Sequence, residues 1–164
     1  GTTAMNMVIN LFGGDFSAIM PQVLAAEDNC GGLLALPFMD DEPGLGVSQG
    51  GTAMVIGLNE KTATPGNAVK AMLLATVFNL RIGSNQLDEQ GYPRTEIVLS
   101  GGLVKTPELG QLVADAFNTP VTIFEQTGSP TRFNPHAKAV QTLNSVFDRY
   151  QKLVNMHGQL ESVT

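Results

Sequence analysis

The chain has 164 residues, 43% of them hydrophobic and only 15% charged, with 18 glycines and a formal net charge of −6. This length suits one domain with a real core but is short for an enzyme that closes two lobes around two substrates, and the acidic balance excludes non-specific binding to nucleic acid or an anionic membrane, which needs a basic surface. Cys30 is the only cysteine, so no intrachain disulfide forms; with no apolar run of about 18 residues and no basic-then-apolar start, the sequence reads as soluble and cytoplasmic.

Met5, Val8, Ile9 and Phe12 recur at helical spacing, and Phe16, Ile19, Met20, Val23 and Leu24 do so again after Gly13-Gly14, with Pro21 expected to mark a restart. Gly31 to Met39 is a continuous apolar run, short enough for a buried strand. Asp40 to Gly50 reads as a loop, and Thr52 to Leu58 as a second strand bounded by glycines. Thr64-Pro65 supplies a cap and a first-turn proline for a long helix that carries Val69, Met72, Leu73, Thr76, Val77 and Leu80 on one face. A polar connection is expected over Gly83 to Arg94.

The strand Glu96 to Leu99 then empties into Ser100-Gly101-Gly102, and Thr106-Pro107 repeats the cap and proline ahead of a helix striped by Leu109, Leu112, Val113, Ala116 and Phe117. Asn118-Thr119-Pro120 ends that helix and Val121 to Phe124 returns as a strand. The result is β-α-β, in a fold class expected to be α/β, with the loop at the first strand's carboxyl end facing a ligand crevice. Glycines at such a joint let a ligand approach the main chain with no Cβ in the way, while the helix start offers N–H groups to phosphate or adenine. Lys105 stands beside the turn, where it would help hold phosphate or simply face solvent. Gln126 to Phe133 reads as loop, and Asn134-Pro135 opens a last helix with Val140, Leu143, Phe147, Tyr150 and Val154.

Other chemistry-bearing residues have plainer readings. Asp40, Asp41, Glu42 and Asp115 read as solvated acids rather than metal ligands, and His136 and His157 as surface residues without the spacing of a metal site or triad. Cys30 has no helix start or basic neighbour in sequence to activate it, and reads as a small buried group.

The segment IVLSGGLVKTPELGQLVADAFNTPV resembles the adenosine-binding signature of the FGGY carbohydrate kinases. GGLLALPFM resembles that family's Gly-Leu-rich strand, GGTAMVIGLN its Gly-to-Gly-Leu strand and NAVKAMLLATVFNLRIG its long core helix, all in the same order. The resemblance implies a ribonuclease-H-like, actin/hexokinase-type C-terminal lobe, a mixed sheet flanked by helices, spanning residues 1–164 as one ATP-binding domain of a larger two-domain sugar kinase. It implies ATP with Mg²⁺ and a ketose of the pentulose type held mainly by an N-terminal lobe; a homodimer is considered as a partner state, although the sequence does not fix the oligomeric state. Carried over by position, Gly101 and Gly102 lie against phosphates and ribose, Thr106 falls where relatives often have Asn or Ser near the adenine, and Gly1 corresponds to a nucleotide-facing glycine.

This sequence also departs from the family pattern. Relatives carry Gly-Glu-Arg after the first strand's proline, where this chain has Asp41-Glu42-Pro43. The usual closing helix after the second strand is replaced by Thr127-Gly128-Ser129 running straight into Pro130, so a segment is expected to be missing between Gln126 and Asn134. The catalytic base belongs to portions N-terminal to this chain, so the resemblance assigns no catalytic residue or metal ligand here and implies an inactive fragment. The alternative reading is a non-catalytic, actin-like module for assembly or regulation, binding a protein partner through exposed faces. A dinucleotide-binding domain is disfavoured, because Ser100 to Val104 lacks the third glycine of that fingerprint.

Overall fold

Two helices open the chain, α1 (Thr3–Leu11) and α2 (Phe16–Ala25). Asp15 starts the second, its carboxylate accepting the Ala18 amide at 2.8 Å. Pro21 lies inside α2 and does not interrupt it. A proline there removes one bond to the carbonyl four residues earlier, and burial of Ile19, Met20 and Val23 on both sides of it holds the helix together. The computed structural model describes residues 3–40, 43–47, 50–100, 106–124 and 128–163.

The chain divides into two compact units, one of Gly1–Asn79 with Ser145–Thr164, the other of Leu80–Asn144. In the first, β1 (Leu34–Leu36) pairs antiparallel with β2 (Met54–Ile56), Leu34 facing Ile56. Every residue of β1 is buried, as its continuous apolar run requires. The backbone bonds Thr52 N–H to Phe38 O and Gly51 N–H to Met39 O carry the pairing on towards the loop. Helix α3 (Pro65–Glu89) starts where expected, with the Thr64 hydroxyl accepting the Asn67 amide at 3.2 Å.

Val69, Met72, Leu73 and Val77 are buried along α3, whereas Leu80, assigned to the same stripe, is 63% exposed. The helix also runs on through the stretch expected to be a polar connection. It ends in a Schellman turn at Gly91 (φ 93), whose N–H bonds Asp88 O while the Tyr92 N–H bonds Leu87 O. Residues such as Gln86, Asp88 and Glu89 are exposed, so this part of the helix needs no apolar stripe and its period disappears from the sequence.

In the second unit, β3 (Ile97–Leu99) is parallel to β4 (Val121–Ile123), and α4 (Leu109–Phe117) forms the crossover between them. A third strand, β5 (Thr131–Phe133), pairs antiparallel with β4 and completes a mixed sheet of order β3-β4-β5. Thr131 to Phe133 was expected to be loop. Three residues with two of them exposed show too little alternation to mark a strand. Asn118 adopts the left-handed conformation (φ 49) that ends α4, its N–H bonding Asp115 O and the Thr119 N–H bonding Ala114 O. Helix α5 (Ala137–Asn155) follows, then the short α6 (His157–Leu160).

The first unit's core gathers Leu33, Leu36, Phe38, Met72, Leu74, Phe78 and Tyr150. Phe78 lies 5.2 Å from Phe147 and 5.6 Å from Tyr150 between ring centroids, and the Tyr150 hydroxyl donates to Asn79 Oδ1. His157 belongs to this interior and not to the surface: it is 2% exposed, its Nε2 is 2.5 Å from Thr52 Oγ1, and its ring meets Phe38 edge-on at 5.0 Å. In the second unit the most buried large side chains are Leu109, Ile123 and Leu143. Among the described residues no helix is long and apolar enough to cross a membrane.

Two glycines of α3 predict opposite responses to the same change. A Cβ on Gly66 would stand 2.5 Å from the Gln22 carbonyl oxygen and 2.9 Å from its carbon, so α2 and α3 meet backbone to backbone there; a Cβ on Gly83 meets nothing within 4 Å. Gly66→Ala should lower stability by about 1–3 kcal/mol, and Gly83→Ala should raise it by about 0.5–1 kcal/mol. Urea denaturation of the two variants reads both signs.

Candidate nucleotide-binding site

Parallel pairing dictates where a ligand can reach this sheet. Leu99 lies beside Ile123, so Ser100 and Phe124 leave the sheet at the same edge, both exposed. From there the chain reaches Thr106 and runs back through α4, whose first turn therefore lies at that edge.

Thr106 is buried, at 8% exposure. Of the other residues assigned to the site, Gly101, Gly102, Lys105 and Gly1 lie outside the described residues, as do Asp41 and Glu42.

The start of α4 differs from the expected cap. The helix begins at Leu109 with Glu108 in the capping position and no side-chain cap bond. Residues 106–108 form a turn whose carbonyls are already used: Thr106 O accepts the Leu109 amide at 3.0 Å, Pro107 O the Gly110 amide at 2.8 Å and Glu108 O the Gln111 amide at 3.2 Å. Proline at the second position of that turn favours this tight geometry over an open helix start. The amides of Leu109, Gly110 and Gln111 are thus not the donors offered to a ligand in the sequence reading.

A second correction concerns Asp115, which is buried and not solvated. Its Oδ1 accepts Gln111 Nε2 at 2.9 Å and the His136 backbone amide at 2.8 Å, and Gln111 Nε2 also donates to Asn134 O at 2.8 Å. His136 O accepts the Val140 amide at 2.9 Å, so Asp115 places a carboxylate beside the start of α5, where the helix dipole favours it. His136 itself is exposed, as expected.

The far end of α4 is held by cations. Arg81 Nη1 donates to Ala116 O and to Asn144 Oδ1, each at 3.0 Å, at the end of the helix where positive charge is favoured. Arg94 donates to Asn85 at 2.7 Å, Ser84 at 3.0 Å and Thr119 at 3.3 Å, and lies 5.2 Å above the Phe117 ring. On the sheet, Glu96 accepts the Thr122 hydroxyl at 2.8 Å and meets Arg132 at 3.4 Å, an exposed pair of small energetic weight.

Gly110 was not singled out by the sequence. A Cβ there would lie 2.6 Å from Phe133 Cδ2 and Cε2 and 2.8 Å from Ile123 Cδ1, so α4 touches the sheet with bare backbone in its first turn. The signal was a glycine inside an amphipathic helical stripe, which usually has a packing reason.

Cys30 is buried as expected, and burial pushes its thiol up to about 12 although Lys70 acts in the opposite direction. A basic neighbour therefore exists that the linear sequence hid, since Lys70 is buried on α3 with its Nζ 2.9 Å from Ala26 O. Such a thiol is inert. In the first unit a small apolar cavity lies among Leu33, Ala71, Leu74, Phe78, Val146 and Tyr150, without the charged groups a nucleotide requires. Among the described residues no group of three or more His, Cys, Asp or Glu is placed to hold a metal ion.

Residues 17–131 match the FGGY family of carbohydrate kinases, C-terminal domain. Xylulose kinase of Haemophilus influenzae is 27% identical over 127 residues, covering 76% of this chain and 25% of that protein. Ribulokinase of Mycolicibacterium smegmatis is 32% identical over 109 residues, covering 65% of this chain and 19% of that protein. The chain thus spans a quarter or less of these relatives. The crystal structure of a xyloylose kinase from Brucella ovis superimposes with a TM-score of 0.84 at 15% identity, over 98% of this chain and 39% of that one. The fold is accordingly of the actin/hexokinase type.

Replacing the buried carboxylate tests the packing of α4 in isolation from ligand binding. Asp115→Ala leaves the His136 amide without this acceptor and Gln111 with Asn134 O alone, and should cost about 1–3 kcal/mol. Asp115→Asn, which keeps one oxygen, should cost less. An unchanged denaturation midpoint for the alanine variant would show that these bonds do not hold α4.

Proposed function

The chain belongs to the FGGY family of carbohydrate kinases, as its C-terminal domain, and from that membership we propose that it is the nucleotide-binding lobe of an ATP-dependent kinase that transfers the γ-phosphate to a hydroxyl of a ketose of the pentulose class. The observation that carries the site is the parallel β3-α4-β4 crossover, which brings Ser100, Thr106 and Phe124 to one edge of the sheet. Xylulose kinase and ribulokinase among the relatives support the pentulose class.

In this reading the triphosphate and ribose rest along Gly101 and Gly102, Lys105 adds positive charge beside the phosphates, and Gly1 faces the nucleotide. Thr106 forms part of the wall against the adenine, presenting an edge and not a projecting side chain because so little of it is open. Phosphoryl transfer needs positioning, neutralisation of phosphate charge and a base for the attacking hydroxyl. This chain supplies positioning. Mg²⁺ would accompany the triphosphate, the form in which that ion is commonly bound with few protein ligands. The base and most of the sugar pocket are assigned to an N-terminal lobe, and residues 1–164 to one C-terminal domain that is inactive alone. Cytoplasmic residence and a homodimer belong to the same proposal. The matched relatives are kinases, which disfavours a non-catalytic module.

Gly102→Val would push a branched side chain into the space assigned to the ligand. In the complete gene product it should weaken ATP binding at least tenfold by titration calorimetry, with the sugar affinity retained. Equal ATP affinity in the variant and the parent would refute the assignment.

A further inference from the structure

We propose that Gly110 is a positioning residue for the nucleotide: the absence of a side chain there lets the first turn of α4 settle onto Phe133 and Ile123, and that contact sets where Thr106 stands at the carboxyl edge of β3 and β4. The inference rests on the nucleotide reading above.

The glycine is required by space and not by backbone conformation. Gly110 is the second residue of α4 and is not among the positive-φ glycines. Nothing in that backbone conformation calls for glycine, yet a Cβ would stand 2.6 Å from two atoms of the Phe133 ring. Relieving that overlap to an ordinary carbon contact of about 3.5 Å needs a movement on the order of 1 Å.

Phe133 is poorly placed to make the movement. It pairs with Val121 on the central strand, and the next residues are tied to α4 itself through Gln111 to Asn134 O at 2.8 Å and Asp115 to the His136 amide at 2.8 Å. The displacement therefore falls on the helix start. It would be passed on directly, because the Gly110 amide bonds Pro107 O at 2.8 Å and the Leu109 amide bonds Thr106 O at 3.0 Å. A shift of that size in a positioning element is enough to lose binding geometry.

The test uses the complete gene product with ADP as the probe, in four forms: parent, Gly110→Ala, Phe133→Ala and the double variant. Gly110→Ala should raise the ADP dissociation constant about tenfold or more, and the KM for ATP with it, while the KM for the ketose stays within about twofold of the parent. Removing the ring should restore binding, so that the double variant binds ADP within about threefold of Phe133→Ala alone. If Gly110→Ala fails to fold, the double variant against Phe133→Ala is the deciding pair, and weak ADP binding by a folded double variant overturns the proposal. A Gly110→Ala protein that melts earlier but binds ADP like the parent also overturns it, leaving the nucleotide reading intact. A parent that binds no adenine nucleotide overturns that reading and this inference with it.

Discussion

The parallel pairing of β3 with β4 is the constraint on which the candidate site depends. Two parallel strands cannot be joined by a tight turn, so the chain must leave one edge of the sheet, return along a crossover and re-enter at the other. Here the crossover is α4, and the register places Leu99 beside Ile123. The two strands then end side by side. A single backbone pattern thereby brings together residues far apart in sequence, Ser100 and Phe124 among them, without any direct bond between their side chains.

The helix that completes this arrangement is fixed at both ends by different physics. Its first turn is held by shape, glycine against an aromatic ring, with Asp115 and Gln111 tying it to the segment before α5. Its last turn is held by charge, with Arg81 on the Ala116 carbonyl and Arg94 over Phe117. Close packing leaves little slack, so the position of the helix start follows from contacts on the side away from the proposed ligand. Asp115 shows the economy of the design: one buried carboxylate satisfies a side chain of its own helix and the backbone at the head of another.

What the sequence disclosed was what local chemistry controls. The Thr64-Pro65 start of α3, the Asn118 end of α4, the buried strand Leu34–Leu36 and the crossover all follow from caps, left-handed residues and apolar periods visible within a few positions. What it concealed depended on partners distant along the chain. His157 is buried because Phe38 and Thr52 receive it, Asp115 because Asn134 to His136 fold over it, and Lys70 because Ala26 offers it a carbonyl. β5 was hidden for the same reason, since its pairing with β4 and not its own composition makes it a strand. The identity of the family was legible in the ordered series of segments around Gly101-Gly102, whereas the role of Gly110 required the ring of Phe133 to be seen.

The central claim is that an adenine nucleotide lies at the carboxyl edge of β3 and β4. Titration of ADP into ¹⁵N-labelled protein, followed by amide chemical shifts, locates the ligand without reference to activity. The account predicts that the largest changes fall on Ser100, Thr106, Leu109 and Phe124, with Glu96 and Thr119 at the opposite edge little affected. Shifts concentrated on Glu96 and Thr119, or on the apolar cavity beside Tyr150, with Ser100 and Thr106 unmoved, would contradict it.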